Sequence, residues 1–127
     1  MTPDDFARAF AIAFGAQDAD RLAGFLAEDA GVLTLTGGWA EGRPAAKLAF
    51  QAEFSGIFAH ARLVTGKGKR RELAPGVVFV QQRFVVSGAK GANGADLPRF
   101  AAMLTAVLVS GVEDWQAATL SVSGLAE

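Results

Sequence analysis

His60 is the only histidine in the chain, and the chain has no cysteine and no tyrosine. Thiolate chemistry, disulfides and a phenolic acid are therefore excluded, and a lone imidazole argues against a metal centre. His60 is the first candidate for proton transfer, as a general base or a ligand contact. The competing reading is a junction histidine bonded locally, since no carboxylate nearby in sequence orients it. Glu41 is the second candidate for proton transfer, although Arg43 beside it also suits a surface charge. Trp39 can stack on a ligand or pack on a neighbouring helix. Gln81 and Arg83 share one strand phase and Gln82 has the other. Arg83 and Arg99 can bind a carboxylate or phosphate, or sit in a solvated ion pair. Thr34 and Thr119 can each offer one hydrogen bond from a strand. Asp4, Asp5, Asp18, Asp20, Asp29, Asp96 and Asp114 all fall at expected helix ends, loops or turns, so no pair of carboxylates faces one cavity.

The elements that position these groups are legible in the periodicity. Thr2-Pro3-Asp4-Asp5 suits a helix start, with a T-x-x-D resembling a capping box. Phe6, Phe10 and Phe14 recur every four residues on one face, and Gly15 ends the helix. Asp18 caps a shorter helix carrying Leu22, Phe25 and Leu26, closed by Glu28 and Asp29. A strand follows over Val32 to Thr36, then a Gly37-Gly38 turn and a short extended piece from Trp39 to Glu41. Pro44 opens a third helix to about Phe58, whose apolar residues Leu48, Phe50, Phe54, Ile57 and Phe58 form a wide face, so that cover on more than one side is expected. Four strands are then expected at His60–Leu73, Val77–Ser87, Arg99–Val112 and Trp115–Ser123, separated by turn residues and a glycine-rich loop.

Helices first and strands afterwards predict an α+β fold: three helices packed on a long, curled antiparallel sheet, in one domain spanning 1–127. Such a cone encloses space between helices and sheet, the usual setting of a small-molecule site. The strand from Phe100 is apolar on both faces, so something is expected to cover the outer one. A second copy of the chain is the simplest cover.

Composition narrows the classes further. Net charge is −1, with 12 basic and 13 acidic residues, which gives no general attraction to nucleic acid or acidic membranes. The one basic run, Lys67 to Arg71, lacks aromatic neighbours and reads as a solvated strand end. The Gly88–Gly94 loop lacks the G-K-[ST] ending of a phosphate-binding loop. No apolar run reaches membrane-spanning length, and the acidic start lacks a basic leader, so a cytoplasmic protein is expected.

Ala16-Gln17-Asp18-Ala19-Asp20-Arg21-Leu22, then Phe25-Leu26-Ala27-Glu28-Asp29-Ala30, the glycines around Trp39, and Glu113-Asp114-Trp115-Gln116 together resemble the SnoaL-like group of the nuclear transport factor 2-like superfamily. That resemblance implies a cone-shaped fold, a homodimer through the sheet, and a pocket for small, mostly hydrophobic molecules without a cofactor. It covers isomerases, cyclases, dehydratases, epoxide hydrolases and non-catalytic assembly modules. Steroid-isomerase-type chemistry needs a tyrosine where this chain has Phe10 and an aspartate where it has Thr34, so the chain departs at both positions. If a ligand occupies the cone, Phe10, Thr34, Trp39, Phe54, Phe58, His60, Gln81 and Arg83 are the expected contacts. The alternative is a dimerisation module without catalysis.

Overall fold

Phe6, Phe10 and Phe14 turn one side of the first helix inward, and all three rings are buried. The computed structural model describes residues 1–126, and this helix, α1, spans Pro3–Gly15. Thr2 occupies the N-cap position, but its hydroxyl donates to the Asp5 carboxylate (2.8 Å) instead of closing a capping box. The left-handed residue that turns the chain after α1 is Gln17 (φ 53°), with its side-chain amide donating to the Gly15 carbonyl at 2.9 Å. Asp18 caps α2 (Ala19–Gly24), accepting from the Arg21 backbone N–H at 3.0 Å.

Gly24 ends α2 before Phe25 and Leu26, so the following strand starts early. β1 is Leu26–Leu33 and carries Glu28 and Asp29, which point to solvent and do not close a helix. β2 is Trp39–Glu41. α3 is Arg43–Phe54, shorter than the expected run to Phe58, because Ser55-Gly56 breaks the helical ladder into turns through His60. Its buried stripe is Ala46, Phe50 and Glu53, while Leu48 is largely exposed, so the helix is covered on one side only. β3 (Arg62–Ala74), β4 (Val77–Ser87), β5 (Phe100–Ser110) and β6 (Trp115–Gly124) follow.

The sheet is curved and runs β2-β1-β6-β5-β4-β3. β3 to β6 form the expected antiparallel meander. The sheet is nonetheless mixed, because β1 pairs with β6 in parallel. α3 and the intervening meander form the long connection that a parallel pair requires. The inner face carries Val78, Val80, Phe84, Val86, Ala102, Leu104, Ala106, Leu108, Leu120 and Val122, all buried in one core cluster with residues of α1 and α3. No helix is long and apolar enough to cross a membrane among the described residues.

Candidate functional site

The space between α1, α3 and the inner sheet face is occupied by phenylalanine rings. Phe10 stacks on Phe84 of β4 (centroids 6.3 Å apart) and meets Phe50 of α3 edge-on at 6.5 Å. Phe14 lies 5.6 Å from Phe58 and 5.1 Å from Phe54. Phe6, Phe10, Phe50, Phe58 and Phe84 are all below 2% exposed. Phe10, Phe54 and Phe58, read from the sequence as ligand contacts, thus pack into one aromatic cluster, joined through Phe14 and Phe50, with Phe54 partly buried.

The remaining sequence candidates do not converge. Thr34 is buried at the end of β1, its hydroxyl donating to the Gly38 carbonyl at 3.3 Å. Trp39 and Glu41 lie on the outer side of the sheet, where the indole N–H donates to the Glu41 carboxylate at 3.2 Å. The Trp39 ring covers Gly31, where a Cβ would lie 2.9 Å from it. Trp39 therefore packs on β1 rather than against α3. Gln81 and Arg83 project from the outer face of β4. Gln82 points inward, its amide donating to the carbonyls of Gly66 (2.9 Å) and Arg83 (2.9 Å), which fastens the bulge in β3. Arg99 is exposed before β5. Arg70 of the basic run is tied to Asp4 of α1 at 2.9 Å.

His60 is exposed beside a shallow groove of about 630 Å³ lined by Ile57, Ala59, Lys90 and Gly91. Lys90 pairs with Asp96 there. The hydrogen bond from its ammonium, and then its charge, hold the Asp96 carboxyl below the usual aspartate range. Among the described residues, no carboxylate lines this groove to orient the imidazole.

One buried ionisable side chain was not among the candidates. Glu53 is 5% exposed, at the inner end of α3. Its Oε2 accepts from the Thr36 backbone N–H (3.0 Å) and the Thr36 hydroxyl (2.6 Å), tying α3 to the β1–β2 turn. Its Oε1 has no hydrogen-bond partner among the described residues. Thr34, Thr36, Ala49 and Ile57 line a groove of about 320 Å³ beside it. The signal was present: Glu53 follows Phe50 by three residues and Ala46 by seven, on the buried stripe. Among the described residues, no three carboxylate or imidazole groups gather in a metal-binding cluster.

No protein-family model matches the chain, and no curated protein matches it. Solved structures do. An uncharacterised protein with a cystatin-like fold from Caulobacter vibrioides superposes with a TM-score of 0.84 at 19% identity, covering 94% of this chain and 84% of that one. A ketosteroid isomerase-like protein from Erwinia carotovora atroseptica gives 0.80 at 14% identity, over 95% and 92%. A nuclear transport factor 2-like family protein from Streptomyces avermitilis gives 0.78 at 12% identity, over 99% and 100%. The chain therefore has the cystatin-like, nuclear transport factor 2-like α+β fold. At these identities the likeness establishes architecture and leaves activity to the side chains.

Proposed function

We propose that the chain is a non-catalytic homodimerising module that associates through the outer face of its sheet. The observation that carries this reading is the phenylalanine packing around Phe10, which fills the space where a reaction chamber of this fold would lie. Proton-transfer chemistry needs an acid and a base within reach of a bound substrate. Glu41 lies on the outer face, His60 at a solvated junction, and Glu53 is engaged with Thr36.

The outer face supplies the positive argument. Phe79, Val85, Met103 and Val107 are half-buried there, and Val64 and Val109 are exposed. Four strands of about ten residues, spaced about 4.8 Å apart, present roughly 600 Å² of sheet, close to the ~800 Å² per partner of a stable interface. Phe79, Val85, Met103 and Val107 form an apolar strip along the middle of this face, flanked by Lys69, Arg71 and Arg83 on the β3 side. Sedimentation equilibrium at micromolar concentration is expected to give a dimer. A chain that stays monomeric into the hundreds of micromolar would remove this reading.

A second reading rests on Glu53. A small, mostly apolar molecule carrying one hydrogen-bond donor fits the groove beside Thr34 and Thr36, and the carboxylate oxygen without a partner is the observation that favours it. Native mass spectrometry of freshly purified protein tests for such a ligand. Retention that is lost in Glu53→Ala supports this reading, and unliganded protein throughout counts against it.

A further inference from the structure

The groove beside Glu53 lies outside the phenylalanine-filled hollow. Its walls come from α3, the turns that follow it and the β1–β2 turn, and none of its lining residues belongs to α1 or to β3–β6. Three side chains form its polar corner. Thr36 Oγ1 lies 2.6 Å from Glu53 Oε2 and 3.5 Å from Thr34 Oγ1. Glu53 lines the groove, and Oε2 is turned to Thr36, so Oε1 is the carboxylate oxygen left to meet a ligand.

The side-chain hydrogens of this corner already have acceptors. Thr36 gives both its backbone N–H and its hydroxyl to Oε2, and the Thr34 hydroxyl donates to the Gly38 carbonyl at 3.3 Å. Lone pairs remain at Oε1 and on the two threonine oxygens, so these side chains accept and do not donate. Among the described residues, none of the ion pairs involves Glu53, and its carboxylate is buried without a countercharge. An anionic ligand would be repelled there, and a neutral alcohol brings one donor and no charge. A primary ammonium brings three donors and the opposite charge in one compact group. Hydrogen bonds in which both partners are charged are the strong ones. Ala49, Ala52 and Ile57 supply an apolar wall for a short alkyl chain.

We infer that this groove binds a small primary alkylamine, its ammonium held by Glu53 Oε1, Thr36 Oγ1 and Thr34 Oγ1. The site rests on the small-molecule reading above, and the choice of probes separates the two. Titration with n-butylamine at neutral pH, followed by amide NMR, is expected to give saturable shifts at Thr36, Ala49 and Ala52 at about millimolar ligand. Butyltrimethylammonium keeps the charge without N–H donors, and n-butanol keeps a donor without the charge. Each is expected to bind about tenfold more weakly. Glu53→Gln retains an oxygen for Thr36 and removes the charge, and Ala52→Leu fills the groove from an exposed position on α3. Each variant is expected to weaken butylamine binding about tenfold, with circular dichroism confirming the fold. Butanol or the trimethyl cation binding as tightly as butylamine overturns the amine class and leaves a groove for another small molecule. Butylamine binding that survives both substitutions overturns the site. An absence of shifts with butylamine overturns the inference, and unliganded protein in native mass spectrometry would then remove the small-molecule reading as well.

Discussion

The Phe10 ring marks the centre of the packed interior, between Phe84 and Phe50. Truncation there removes a buried aromatic from a site walled by two helices and a sheet. Phe10→Ala is expected to cost about 3–5 kcal/mol in urea denaturation. Phe10→Tyr restores the hydroxyl of the isomerase-like pattern into an all-phenylalanine environment. An unpaired hydroxyl there is expected to destabilise by about 1–3 kcal/mol, and gain of isomerase activity on a steroid substrate would contradict the reading of the hollow. At the surface, Lys90→Ala is expected to raise the Asp96 carboxyl toward the ordinary aspartate value, followed by carboxyl-detected NMR titration. Because folding lowers that value, the pair's contribution is present above the unfolded aspartate range and fades as pH falls through the lowered one. The sequence disclosed that Phe10 and Thr34 lack proton-transfer groups. The spacing also puts Glu53 on the buried stripe of α3, while its partner Thr36 is brought to it only by the fold.

At the level of elements, periodicity located the three helices and the four long strands, and it failed where an end depends on tertiary contacts. Leu26 belongs to a strand because the Arg43 side chain donates to its carbonyl (3.0 Å from Nε) and the Ala117 N–H bonds to the Phe25 carbonyl at 2.8 Å. Neither partner is near in sequence, so an i, i+3, i+4 count extended α2 too far. The inward phase of β4 was undecided between Gln81 with Arg83 and Gln82 until the β3 bulge closed on the Gln82 amide. Gly88 ends β4 at φ 79°, beneath the turn that carries His60, and a Cβ there would lie 2.5 Å from the His60 carbonyl oxygen. Gly88→Ala combines a left-handed backbone with a clash against main chain. It is expected to cost about 1–3 kcal/mol or more, visible as a lowered denaturation midpoint with unchanged slope.

At the scale of the whole molecule, a dimer ties stability to concentration. The Tm is expected to rise with protein concentration in scanning calorimetry, and Val107→Arg, in the middle of the outer face, is expected to abolish both that dependence and the dimer without altering circular dichroism. A Tm independent of concentration would argue for a chain that works alone. The parallel seam between β1 and β6 carries a separate consequence. As the polypeptide leaves the ribosome, everything through Glu41 is made early, yet β1 lacks its second neighbour until β6 has emerged. Native pairing of β1 must wait until β6 has been synthesised, which favours late folding of this domain over stepwise maturation of a nascent chain. Nascent segments stalled before β6 are accordingly the forms most exposed to chaperones.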